Sequence, residues 1–108
     1  MYVLEVYTVK PDKTDDVVKV MKKMIGLIKK NPEKFKKLKS YSGMQQYIGT
    51  WGGFYEAWEV ENFADFEKIM EIFMTDPEFK VIPEEFYKYI VPGSWRIELV
   101  NEVAYYKP

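Results

Sequence analysis

Three glutamates interrupt apolar segments that are typical of strands. Glu5, Glu56 and Glu98 each have apolar residues on both sides, and Arg96, the single arginine of the chain, stands two residues before Glu98. A carboxylate in a partly enclosed cavity has a raised pKa and can act as a base toward an acidic C–H or a phenol, while an arginine can stabilise the resulting anion. The alternative is structural: Arg96 and Glu98 form an ion pair, and Glu5 reaches water.

The chain has no cysteine and no histidine among its 108 residues. Disulfides, thiolate nucleophiles, zinc fingers, haem ligated by His or Cys, and His-based acid–base catalysis are therefore excluded. We expect a protein without a cofactor, whose chemistry depends on carboxylates, one arginine and aromatic rings.

Aromatic residues make up 18% of the chain. Tyr7, Tyr47 and Trp58 fall on predicted strands, where their rings can line a ligand pocket and position a bound ring. Trp51 lies in a glycine-rich loop, where it is either a lid over the pocket or a dimer contact. The alternative for the three strand residues is packing, because aromatic side chains dominate cores and interfaces in any case.

Metal and nucleic-acid binding are not expected. Oxygen ligands alone are available for a metal, and no calcium-loop pattern occurs. Residues 10–39 contain eleven lysines against four acids but one aromatic residue and no arginine, so they lack the groups for base stacking and bidentate readout. We interpret the lysines as the solvated face of a helix.

The remaining composition gives weaker indications. No apolar run approaches the roughly 20 residues of a membrane span, so we predict a cytoplasmic protein with no membrane partner. Fifteen lysines against one arginine, and twelve glutamates against five aspartates, resemble the composition of hyperthermophile proteins.

Periodicity predicts the order β-α-β-β-α-β. Thr14 is the predicted N-cap of the first helix and Asn62 that of the second, and a glycine-rich hairpin connects the middle strands. A short helical segment follows Pro83. The predicted strands are 2–9, 40–48, 54–60 and 95–103.

This order is the ferredoxin-like α+β arrangement, in which a four-stranded antiparallel sheet carries both helices on one face. We expect one domain over residues 1–108. Alternation then predicts which side chains share a face. We expect the side chains of Leu4, Val6, Ile97 and Leu99 to face the helices, and those of Glu5, Glu98 and Arg96 to point the other way.

The face opposite the helices is predicted to be apolar. Val3, Tyr7, Trp58 and Val100 are expected there, which is too apolar a surface to leave in water. A homodimer that packs sheet against sheet covers it.

Residues 56–64 (EAWEVENFA) and 75–79 (TDPEF) resemble the third strand and second helix of the dimeric α+β barrel superfamily, which includes antibiotic-biosynthesis-type monooxygenases and the NIPSNAP-like and EthD-like proteins. The resemblance implies a homodimer whose two sheets enclose a pocket for a hydrophobic or aromatic small molecule. Many monooxygenase-like members carry a histidine late in the second helix, where this chain has Ile72, Phe73 and Met74. Haem-degrading members also use a histidine as the iron ligand, and because this chain has none, haem oxygenation is excluded.

The sequence therefore predicts a homodimer that binds an apolar or aromatic small molecule. If the protein is an enzyme, a cofactor-independent monooxygenase or isomerase fits best. Glu98, Glu5 or Glu56 is the expected base. The alternative is a non-enzymatic interaction module whose dimer core is filled by its own side chains.

Overall fold

The computed structural model describes residues 1–108 as seven elements. In chain order these are β1 (Tyr2–Thr8), α1 (Thr14–Lys30), β2 (Ser40–Gln45), β3 (Gly53–Glu59), α2 (Phe63–Thr75), α3 (Val81–Tyr89) and β4 (Arg96–Val100). The predicted ferredoxin-like fold is confirmed, and the short segment at Pro83 is a third helix. None of the helices is long and apolar enough to cross a bilayer.

The four strands form one antiparallel sheet in the order β2-β3-β1-β4. The central pair places Val3 opposite Trp58, Glu5 opposite Glu56 and Tyr7 opposite Phe54. Because side chains alternate along a strand, these six residues share one face of the sheet. We name it the helix-side face, because the helices pack against it, and name the other the open face.

Local sequence explains where the helices begin and end. The α1 helix has Asp15 and Asp16 in its first turn and Lys29 and Lys30 in its last, which complements the helix dipole at both ends. Thr14 is the first residue of this helix and not its N-cap, because the cap position belongs to Lys13, which forms no side-chain cap.

The predicted cap of α2 is confirmed. The Asn62 side chain accepts a hydrogen bond from the backbone N–H of Asp65 at 3.0 Å, which satisfies one of the unpaired N–H groups at the helix start.

The core lies between the helix-side face and the three helices. Val3, Tyr7 and Trp58 are at most 2% exposed there, so the prediction that they lie on the opposite face is wrong, whereas Val100 is on the open face as expected. Both alternating sets of β1 are largely apolar and each contains one tyrosine, and the helices cover the set that includes Tyr7. Burial of rings of this size contributes most of the hydrophobic stabilisation available in a small core.

Candidate functional site

A cavity of about 450 Å³ lies between the helix-side face and the helices. Eleven of the fourteen lining residues are hydrophobic. The lining comprises Glu5, Tyr7, Met24, Glu56, Met70, Phe73, Met74, Ile82, Pro83, Phe86, Tyr87, Ile90, Trp95 and Ile97. Its volume falls within the range usual for small-molecule sites.

The polar end of this cavity is a pair of carboxylates. Glu5 and Glu56 are directly opposite one another in the β1–β3 register, which places Cβ atoms about 4.5–5.5 Å apart. Glu56 is buried and Glu5 is partly buried. Two like charges at this separation in an apolar surrounding cannot both ionise without a large cost, so the pair holds a proton near neutrality.

Different donors serve the two carboxylates. Glu5 accepts a hydrogen bond from the Trp58 indole at 2.8 Å through one oxygen and from the Trp95 indole at 3.3 Å through the other. Glu56 accepts a short hydrogen bond from the Tyr41 hydroxyl. Indole N–H groups donate and never accept, so they favour the ionised form of Glu5.

The pKa values follow from this arrangement. Burial and, after it, the neighbouring Glu5 charge raise the pKa of Glu56 to about 8, against the opposing effect of the Tyr41 and Tyr7 hydroxyls. Burial also raises the pKa of Glu5, against the opposing effect of its two indole donors. Glu56 is therefore mainly protonated at pH 7.

Tyr7 adds a third polar group. Its hydroxyl is buried and forms no well-directed hydrogen bond. Burial raises the pKa of Tyr7, and the nearby Glu56 charge raises it as well. A buried hydroxyl without a partner is uncommon in folded proteins, and this one belongs to the cavity wall.

The remaining sequence candidates lie elsewhere. Arg96 and Glu98 are on the open face, opposite Val6 and Leu4 respectively, and their side chains are 3.6 Å apart as an exposed ion pair. The expectation that Glu5 shares a face with Glu98 and Arg96 is wrong. Likewise Leu4 and Val6 do not face the helices, whereas Ile97 and Leu99 do.

The two hairpin aromatics are separate from the cavity. Tyr47 and Trp51 are 98% and 88% exposed. They lie in the loop between β2 and β3 and line a second, more polar cavity of about 840 Å³ with residues 9–12, 14 and 15. Trp58 is buried behind Glu5 and acts on the cavity through that carboxylate. No three acidic residues converge anywhere as metal ligands.

Sequence reasoning missed the pairing of Glu5 with Glu56 and the contribution of α3. A signal for the buried position of Glu56 is present in β3, where Phe54 and Trp58 stand two residues before and two residues after Glu56. That pattern indicates a buried face that includes a carboxylate. Nothing in the sequence identified Trp95 as a hydrogen-bond donor to Glu5.

Comparisons with known proteins agree with the architecture. No family model matches the sequence, and no curated protein matches it. Among solved structures, an uncharacterised NIPSNAP domain protein from Burkholderia xenovorans is 15% identical with a TM-score of 0.73, covering 99% of this chain and 100% of that one.

Two further structures have the same fold. An antibiotic biosynthesis monooxygenase is 14% identical with a TM-score of 0.67, covering 95% of this chain and 98% of that one. A protein of unknown function from Bacteroides fragilis, described as dimeric and ferredoxin-like, is 14% identical with a TM-score of 0.60 and 90% coverage of both chains. The resemblance predicted from the sequence is thus confirmed at the level of the fold: this chain has the ferredoxin-like α+β fold of NIPSNAP domain and antibiotic biosynthesis monooxygenase structures.

Proposed function

We propose that the protein binds a small molecule with an apolar or aromatic body in the helix-side cavity. The single observation that carries this proposal is an open cavity of about 450 Å³ whose wall is almost wholly hydrophobic except for Glu5, Glu56 and the unpartnered Tyr7. Apolar walls with a few convergent polar groups are the usual composition of a ligand site. The site differs from the expected one, since it lies within one chain and not between two sheets.

An uncharged fluorescent probe, N-phenyl-1-naphthylamine, tests this proposal. We expect a saturable rise in its fluorescence with one site per chain. Met74 lines the cavity and is 69% exposed, so Met74→Trp narrows the mouth without entering the core and should weaken binding. Val103, 96% exposed in the C-terminal segment, provides the matched control as Val103→Trp. Absence of saturable binding, or equal binding by both variants, would contradict the proposal.

A catalytic role is the second candidate, as a cofactor-independent monooxygenase or isomerase. The observation in its favour is the buried carboxylate pair, because carboxylates with raised pKa values are typical of acid–base sites. Glu5, whose ionised form is favoured by two indole donors, is the proposed base toward an acidic C–H or a phenol, with Glu56 as the neighbouring acid. Arg96 is too remote to stabilise an anion there, since it lies on the open face.

Hydrogen–deuterium exchange at the acidic C–H of 2-tetralone in D₂O, followed by NMR, tests the base. We expect exchange faster than in buffer and its loss in Glu5→Gln, while oxygen uptake separates a monooxygenase from an isomerase. Exchange at the buffer rate would contradict the catalytic role and leave a binding module.

We also propose a homodimer formed through the open face, in a protein that acts in the cytoplasm. Support comes from the apolar side chains of that face, which include Leu4, Tyr55, Met44 and Val100, the last two 44% and 40% exposed. Light scattering should give twice the mass of one chain, and Leu4→Lys should give a monomer. A monomeric wild-type protein would contradict this part of the proposal.

A further inference from the structure

The negative end of the helix-side cavity has no positive partner. Glu5 and Glu56 bring two carboxyl groups to it from opposite positions of β1 and β3, and no lysine or arginine occurs among the fourteen lining residues. The single arginine of the chain is paired with Glu98 on the open face. Buried charges in folded proteins are as a rule paired, so this cavity lacks a counter-ion that a ligand can supply.

Tyr7 gives an independent indication of a ligand. Tyr7 is 2% exposed and lines the cavity, and its hydroxyl, although close to Glu56, forms no well-directed hydrogen bond in the chain. Together with the carboxyl groups of Glu5 and Glu56 it makes three oxygen-bearing groups at the polar end of the cavity. A primary ammonium has three N–H donors, which matches this set in number and sign.

The walls suit a cation with an apolar body. Phe73, Phe86, Tyr87 and Trp95 present aromatic rings, whose faces attract cations, and the methionines add polarisable, adaptable surface. A hard divalent ion is less well matched, because calcium takes six to eight oxygen ligands and no third carboxylate converges here.

We propose that the ligand of this cavity is a hydrophobic primary amine, bound as its ammonium between Glu5, Glu56 and Tyr7 with its apolar body among the aromatic and methionine side chains. This inference rests on the proposed binding function. It favours binding over base catalysis, since carboxylates that neutralise an ammonium are not free to remove a proton from carbon.

Proton release is the specific consequence. In the empty cavity Glu56 is mainly protonated at pH 7, because burial and the Glu5 charge raise its pKa to about 8. The groups that face the pair are Tyr7 from β1, Tyr41 from β2, and the indoles of Trp58 and Trp95, and the helices add no charged group to the lining. A bound cation favours both carboxylates in the ionised form, so binding should expel the shared proton.

Isothermal titration calorimetry with 2-phenylethylamine, 2-phenylethanol and phenylacetate tests the inference, because the three probes share a body and differ in charge. Titrations at pH 7 in phosphate and in MOPS, whose ionisation enthalpies differ, give the number of protons exchanged. We expect the amine to bind roughly ten- to a hundredfold more tightly than the alcohol and to release up to one proton. Phenylacetate should not bind, and the amine should bind more tightly as the pH rises from 6.5 to 8.5.

Glu56→Gln keeps the shape of the side chain and removes the titrating group. We expect it to abolish proton release and weaken amine binding at least about tenfold, with little change for the alcohol. Glu98→Gln, on the open face, is the matched control and should leave proton release and amine binding unchanged. The comparison of the three probes on the wild-type protein needs no variant and remains decisive if Glu56→Gln does not fold.

The amine inference is overturned if the alcohol binds as tightly as the amine, or if amine binding takes up protons. In that case binding of the uncharged fluorescent probe still supports the broader proposal of an apolar ligand site. If neither that probe nor the amine binds, both proposals are contradicted.

Discussion

The two faces of the sheet each carry a pair of charged residues, and the pairs differ in every physical respect. On the helix-side face Glu5 and Glu56 have the same sign, little contact with water and hydrogen bonds from indole and phenol groups. On the open face Arg96 and Glu98 have opposite signs and side chains that are 59% and 47% exposed. Exposed ion pairs contribute little to stability, whereas a buried pair of like charges depends strongly on pH. Burial and like charge together separate the candidate site from the surface contact.

The largest expected effect tests the buried half of this comparison. Because the folded pKa of Glu56 is raised above its unfolded value, the folded state binds more protons between about pH 4.5 and 8, and stability falls as the pH rises through that window. The loss at pH 9 relative to pH 4.5 is roughly 3–5 kcal/mol from this group. Glu5 acts in the same direction, since its pKa is raised too.

Urea denaturation of wild type and Glu56→Gln between pH 4.5 and 9 measures this effect. The variant should lose most of the pH dependence and become the more stable protein at pH 9. The pKa values of Glu61 and Asp76 are lowered by Lys39 and Lys34 respectively, so these two groups change the stability only below this pH range. Parallel curves for the two proteins would contradict the assignment.

An intermediate effect is expected at Trp58, whose indole donates to Glu5 at 2.8 Å. Trp58→Phe keeps an aromatic ring in the core and removes the donor. A hydrogen bond to a charged group contributes about 1.5–3 kcal/mol, so we expect a loss of about that size near pH 7.

The loss at Trp58 should shrink at pH 4, where Glu5 is protonated and the indole faces a neutral carboxyl. Denaturation followed by circular dichroism at the two pH values measures the difference. An equal loss at both would show that Trp58 contributes packing alone.

The smallest effect is expected on the open face. Arg96→Ala should change the free energy of unfolding by less than about 1 kcal/mol, because the Arg96–Glu98 pair is exposed and its side chains are 3.6 Å apart. Urea denaturation at low and high salt measures this change and how much salt reduces it. A loss above about 2 kcal/mol would show that a dimer buries this pair, and the contrast between the two faces would no longer hold.

The order of elements was predictable, but the assignment of faces was not. Turn and cap residues such as Asn62 act on neighbouring residues, so a short segment of sequence is enough to predict where a helix begins. In β1 one alternating set contains Leu4 and Val6 and the other contains Val3, Glu5 and Tyr7. Apolar pattern alone favours the first set as the buried one, because it has no charge.

The structure buries the second set, in which Glu5 receives hydrogen-bond donors from residues distant in the chain. Trp58 and Trp95 are 53 and 90 residues away from Glu5 in sequence, and no local pattern encodes such contacts. Failures of local rules at a site of this kind are expected, since functional groups are held against their intrinsic preferences.

The central claim is that Glu5 and Glu56 hold one proton between them at neutral pH in the helix-side cavity. Carbon-13 NMR of the glutamate side-chain carboxyls, titrated from pH 3 to 10 and assigned with Glu56→Gln, tests it most directly. The account predicts that the Glu56 carboxyl titrates with a midpoint near 8. Titration of both carboxyls at the ordinary value of about 4.3 would contradict it.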